Sequence, residues 1–439
     1  MATNQYDPGL RSWVVTVDMG LGHQRAVQPF YRIAEEGILG VGLDPDEAKL
    51  WRSLHRGYEF VSRVRKVPIV GRALFDILDA FQNIPPFYPI RNMAHPSYQV
   101  RLINRLIEKG MGASMVEKIR TKPLPLLTSY PVPAIAADKA GHPLTYCIVC
   151  DAEISRAWVP ANPSDSRIVY LAPCGRAVMR LRSYGVPDER IFLTGFPFPG
   201  EVTGGPDLGL LKSDVGRRLH ALDPENRFWP LHERNVSHFL GKANCRPHEK
   251  KPLSVTFAVG GAGAQTDIAA TLVESLRELI LQNKIVLNLV AGVRPDVAEL
   301  LNKVTSQILP DSPYVKVLYR DNRADYFRAF GELMRTTDVL WTKPSELSFY
   351  AGLGIPIVIA PTIGSQEVYN KRWLMEIQAG IPQEDPRYAH QWLMDLLRAG
   401  RLAEAAWDGF LKARKYGTFK VLEVLETGTM ERETSPLKR

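Results

Sequence analysis

Short apolar runs alternate with stretches of helical spacing along almost the whole chain, and this alternation restricts the fold more than any other feature. The runs fall at 12–17, 124–129, 144–150, 168–172 and 190–194, then at 253–259, 285–291, 315–319, 338–342 and 356–360. They are continuous rather than alternating, as strands buried on both faces of a parallel sheet must be. Helical spacing covers 24–37, 131–140 and 174–184 in the first half. In the second half it covers 265–282, 295–308, 322–335, 345–353 and 366–379, and a tail at 387–426 is helical with no strand partner. The fold class is therefore α/β: two Rossmann-like domains facing a central cleft, with a C-terminal helical tail.

The 439 residues are too many for one ordinary core. The pattern fades between Phe196 and Lys251, where Gly, Pro and charge dominate around a helical piece at 209–221. The expected division is a first domain over 1–200, a linker region over 201–251 and a second domain with the tail over 252–439. Within the first domain, 44–122 reads as an inserted lobe rich in Arg, aromatic residues and Pro. From Trp51 to Lys122 there are 13 Lys/Arg against 5 Asp/Glu, an excess equal to the +8 of the entire chain. Such a lobe suits an anionic partner or is a solvated basic face.

No apolar run reaches the roughly 18 residues needed to span a bilayer. The opening "MATNQYDPGL" lacks the basic and apolar regions of a secretory signal, so a cytoplasmic location is expected. Four cysteines do not make a disulfide framework. Cys147 and Cys150 form a lone C-x-x-C inside an apolar segment and read as buried thiols, not as a metal or redox site.

Two strand-to-helix turns carry glycine. "VDMGLGHQRA" places Gly20, Gly22 and His23 after the first run. It lacks the third glycine of a dinucleotide fingerprint, since Arg25 and Ala26 stand there, and no clear strand follows soon after; NAD binding is rejected. "FAVGGAGAQTDIAATL" repeats the geometry more strongly. Gly260, Gly261 and Gly263 let backbone approach a ligand, and with Ala264 and Gln265 they lead into a helix N-terminus that suits a diphosphate. No Gly-Lys-Ser/Thr follows, so this is not a Walker A loop. Further on, Glu346 opens a short helix, while Gln366, Glu367 and Asn370 cluster at the start of another. These groups suit hydroxyl recognition or are helix caps.

Strand–"GLGH", strand–"GGAGAQ" and then "TKP…GIP…P…SQE…N" occur in the order seen in GT-B glycosyltransferases, and over 13–200 and 253–380 the chain resembles that family. "PLLTSYPVPAIAADKAG", "TYCIVCDAEISRAWV" and "LRSYGVPDERIFLTGFPF" are similar to the monogalactosyldiacylglycerol synthase and processive diacylglycerol glucosyltransferase branch. The resemblance implies a GT-B architecture with an acceptor-binding first domain and a nucleotide-sugar-binding second one. It implies an inverting hexosyltransferase that uses a nucleotide sugar, expected to be a UDP-sugar, as co-substrate, with no further cofactor and no metal site. The diphosphate would lie on 260–265, with Lys343 neutralising its charge and Gln366 and Asn370 on sugar hydroxyls. Ser345 and Glu346 stand where the branch has two glycines, and Glu346 would replace the branch's ribose-binding glutamate. His23 is the expected catalytic base, with Asp151 as rival or helper; Asp18 is read as structural. A lipid or lipid-linked acceptor at an anionic membrane face is implied, and nucleic acid is not. A sugar-nucleotide epimerase or hydrolase and a non-catalytic sugar-nucleotide-binding protein are the alternatives.

Overall fold

The computed structural model describes residues 9–42, 44–45, 47–51, 84–247, 249–258, 265–362, 364–431 and 433. Two six-stranded sheets, parallel throughout, form its two centres. The first contains β1 (Ser12–Val15), β2 (Ala34–Leu39), β3 (Leu126–Thr128), β4 (Thr145–Ile148), β5 (Val169–Leu171) and β6 (Ile191–Phe192), in spatial order β2-β1-β3-β4-β5-β6. The second contains β7 (Leu253–Ala258), β8 (Ile285–Gly292), β9 (Val315–Tyr319), β10 (Val339–Thr342), β11 (Ile357–Ile359) and β12 (Gly380–Pro382), in order β12-β11-β10-β7-β8-β9. Central strands are apolar and closed to solvent along their length, as Trp13, Val14 and Val15 and then Leu340 and Trp341 show. Helices on both faces require this. The result is a two-domain α/β arrangement, each domain built on one parallel sheet, with a helical tail.

Both sheets reverse direction once. The first runs outward from β1 to β2 and restarts at β3 on the other side of β1. The second runs from β7 through β8 to β9 and restarts at β10 beside β7. Neighbouring strands at such a switch point send their loops apart, which leaves a crevice at their carboxyl ends.

Two strands depart from the sequence expectation. Residues 34–37, expected within a helix, belong to β2, so a strand does follow the first glycine turn. Its sequence, AEEGIL, is largely polar because it lies at a sheet edge. Its register shifts against β1, and Glu36 and Gly37 have φ of 56° and 82°. A bulge of this kind protects an edge and erases the strand's period. β12, another edge strand, is only three residues long and ends in proline. In addition, the expected helix at 345–353 is a 3-10 segment, Glu346–Leu353.

The 201–251 region holds helices at Gly209–Ala221 and Trp229–Leu240. It is fastened to the second domain by Arg218, whose guanidinium donates to the carbonyls of Met334, Thr337, Leu353 and Gly354. The tail forms helices Ala389–Arg398, Arg401–Lys412 and Gly417–Thr427. Its last helix returns to residues 196–198, where Thr418 Oγ1 donates to the Phe198 carbonyl at 2.5 Å. Of the 44–122 lobe, residues 52–83 lie outside the described residues; the described part includes helices Tyr98–Glu108 and Ala113–Ile119.

Candidate active site

The switch point of the first sheet brings together the loop after β1 and the loop after β3. Gly20, at φ 106°, turns the chain into a short helix, Leu21–Val27, that carries His23. Ser129 follows β3. The Ser129 carbonyl lies 2.7 Å from His23 Nδ1, and Ser129 Oγ donates to the His23 carbonyl at 2.7 Å. A carbonyl only accepts, so Nδ1 carries the proton and Nε2 keeps its lone pair. Burial holds the imidazole below its ordinary pKa, against the opposing effects of the Ser129 carbonyl and the Glu346 carboxylate. The ring packs edge-on to Tyr130, with centroids 5.0 Å apart. His23 thus presents a neutral imidazole with a fixed tautomer, and its side chain caps no helix.

Asp151 lies just beyond β4. Burial raises its carboxyl to about 6; the nearby Glu346 and Glu367 push in the same direction, and Asn370 and Lys343 oppose them. Asn370 approaches from helix Ser365–Glu376 of the second domain and donates to Asp151 Oδ1. Its other contacts are an acceptance from Ala152 N–H at 2.7 Å and a donation to the Pro344 carbonyl at 3.1 Å. Asn370, expected on sugar hydroxyls, is here committed to joining the two domains. Gln366 sits one turn earlier on the same helix and is partly buried.

On the second sheet, Lys343 follows β10 and pairs with Glu367 at 2.5 Å. Thr342 Oγ1 donates to the Ala258 carbonyl, tying the two strand ends at the switch point. Gly260, Gly261, Gly263 and Ala264 lie outside the described residues. Gln265, next in the chain, is buried; its Nε2 donates to the Pro361 carbonyl at 3.0 Å, while its Oε1 has no hydrogen-bond partner among the described residues.

Glu346, expected near a donor ribose, reaches into the first domain. Its Oε1 is 3.2 Å from Arg25 Nε, and a Cβ added at Gly22 would sit 2.8 Å from its Oε2. A side chain at Gly22 would have to displace this carboxylate. Asp18 accepts from Gln24 Nε2 at 3.1 Å and bridges to Arg323 of the second domain at 2.8 Å. Arg25 and Ser129 were not singled out by the sequence. The available signals were an arginine three residues after Gly22 and the aromatic spacing of "YFRAF" at 326–330.

Cys147 and Cys150 are buried free thiols, both pushed upward by burial. Among the described residues, no group of three His, Cys, Asp or Glu stands close enough to hold a metal. Among those residues, too, no helix is long and apolar enough to cross a membrane.

Residues 234–312 and 293–422 match a domain of unknown function, DUF6938. No curated protein sequence matches the chain. Solved structures that overlap it include an S. aureus MnaA–UDP co-structure, at 11% identity, TM-score 0.48 and coverage of 95% of this chain and 96% of that one. MurG of Acinetobacter baumannii overlaps at 13% identity and TM-score 0.49, covering 94% and 99%. A UDP-GlcNAc 2-epimerase from Neisseria meningitidis bound to UDP-GlcNAc overlaps at 10% identity and TM-score 0.44, covering 94% and 98%. Transferases and epimerases both occur among the overlapping chains.

Proposed function

We propose that the protein is an inverting glycosyltransferase that moves a hexose from a UDP-sugar to a hydroxyl acceptor. The observation that carries this reading is the meeting of the two switch points across one cleft. A neutral histidine of fixed tautomer stands on one side, and Lys343 and the buried Gln265 at the start of helix Thr266–Ser275 stand on the other. In the reaction, the acceptor oxygen attacks the anomeric carbon while its proton passes to His23 Nε2. The bond from that carbon to the diphosphate oxygen breaks, and the leaving UDP keeps the electron pair. In this reading the glycine turn that leads into Gln265, together with Lys343, bears the developing charge. Asp151 sets the field around the acceptor side.

The acceptor in this reading is a lipid hydroxyl at an anionic membrane face, as in the glycolipid-synthesising branch the sequence resembles. Exposed Tyr88, Ile90 and Tyr98 alternate with exposed Arg91 and Arg101 on the lobe, a mixture suited to headgroups and the acyl boundary.

One observation favours a second reading, a sugar-nucleotide epimerase or hydrolase. Glu346 and Glu367 both act on Asp151, so three carboxylates from separate elements converge on the cleft. Calorimetry with UDP, GDP and ADP, using Gly263→Asp as control, tests the nucleotide site. Selective UDP binding that the added carboxylate abolishes is expected; no binding of any nucleotide overturns both readings. UDP release that depends on diacylglycerol vesicles supports transfer. Conversion of the sugar nucleotide without an acceptor supports the second reading instead.

A further inference from the structure

Arg25 belongs to the first domain, yet its guanidinium is buried inside the second. Its carbon centre lies 4.3 Å from the ring centroid of Phe330 and 5.2 Å from that of Phe327, both on helix Arg323–Thr336. Nη2 donates to the Tyr326 hydroxyl at 3.1 Å, and Nε faces Glu346 Oε1. The residue is 5% exposed. A cation so far from water persists only where ring faces and acceptors replace its hydration, and here both do.

The helix that bears it is seven residues long. Gly22 and Arg25, three apart, share the face toward Glu346, while His23 turns to Ser129. The place of His23 relative to the second domain is therefore fixed by where Arg25 is seated. We propose that Arg25 is a positioning residue: its guanidinium, held between Glu346 and the Tyr326–Phe327–Phe330 group, docks the His23 helix in register with the donor side of the cleft. What is brought into register rests on the functional reading above; the docking itself does not.

The full-length chain carrying Arg25→Met or Arg25→Lys tests this through hydrogen exchange, UDP calorimetry and UDP release from UDP-hexoses. In Arg25→Met, amide protection over 21–27 and 346–353 should fall by about tenfold or more as the charge and its donors are lost. UDP affinity, a property of the second domain, should stay within about threefold, while turnover drops on the order of 100-fold through misplacement of the base. Arg25→Lys keeps a cation over the rings but lacks the planar fork, so it should recover part of both protection and turnover; it also serves if the methionine variant does not fold. Unchanged protection in Arg25→Met overturns the proposal, and so does a loss of UDP affinity as large as the loss of turnover. A wild-type chain that binds no UDP overturns the functional reading instead, and the exchange comparison then decides the docking alone.

Discussion

Asn370 Nδ2 donates to Asp151 Oδ1 at 2.8 Å, a hydrogen bond between residues 219 positions apart on opposite sides of the cleft. The same amide serves Ala152 and Pro344, so one fully buried side chain joins the carboxyl ends of both sheets. Asn370→Leu removes three hydrogen bonds and leaves a buried N–H and a buried carbonyl unpaired. We expect a loss on the order of 2–5 kcal/mol in urea unfolding. Asn370→Asp should instead be pH-dependent and lose more stability at pH 8 than at pH 5, because two adjacent carboxylates share one proton more easily than none. Wild-type stability in the leucine variant would remove Asn370 from this role.

Asp151 titrates near 6 in the folded chain, against an ordinary value of 3.8. The folded state therefore binds the proton more tightly than the unfolded state does. Stability attributable to this group is fully present below about 3.8 and is lost as the pH rises to about 6. The difference amounts to at most about 3 kcal/mol. Asp151→Asn should accordingly be more stable than wild type at pH 8, with the gain shrinking toward pH 4. Turnover should fall at the same time, the trade expected of a charge retained for chemistry. A destabilised Asp151→Asn at pH 8 would contradict this account.

Much of the fold was legible because central strands of parallel sheets must be apolar on both faces, and all eight were; the edge strands Ile191–Phe192 and Val315–Tyr319 were legible as well. The two that were missed, Ala34–Leu39 and Gly380–Pro382, are edge strands whose polar, bulged or very short sequences carry no such signature. His23 and Asp151 could be singled out because each follows a strand end. The contacts they make could not. Ser129 fixes the His23 tautomer through its backbone carbonyl, and that contact is independent of residue type. Arg25 and Glu346 lie 321 positions apart, and nothing in local spacing announces a contact made only when two domains meet.

The imidazole of His23 is neutral by environment, and this can be read without any substrate. Its pKa lies below the ordinary 6.5 because of burial. In a nuclear magnetic resonance titration, the His23 ring should protonate below the ordinary 6.5, with nitrogen shifts of the Nδ1–H tautomer. If neutral His23 is the base, the acid limb of turnover cannot come from an ordinary histidine. The rate should instead fall off around pH 6, where Asp151 is half protonated. His23→Gln should lower turnover about 100-fold or more and leave UDP affinity unchanged. A titration at or above 6.5 would show that the ring is solvated and not set as described.

Gly22→Ala separates helix propensity from the contact across the cleft. Alanine is favoured over glycine within a helix by roughly 1 kcal/mol. In this chain, however, its methyl would sit 2.8 Å from Glu346 Oε2. The carboxylate is the flexible end of its side chain and can move, but only by leaving Arg25, whose donor would then be buried without its acceptor. Gly22→Ala alone should therefore destabilise, by about 1–3 kcal/mol. Once Glu346→Ala has removed the carboxylate, the same substitution should be neutral or stabilising. The double-mutant cycle should show coupling above about 1 kcal/mol, well beyond the error of additive pairs. Additive behaviour would mean that Glu346 does not contact the helix in solution and that the domains meet elsewhere.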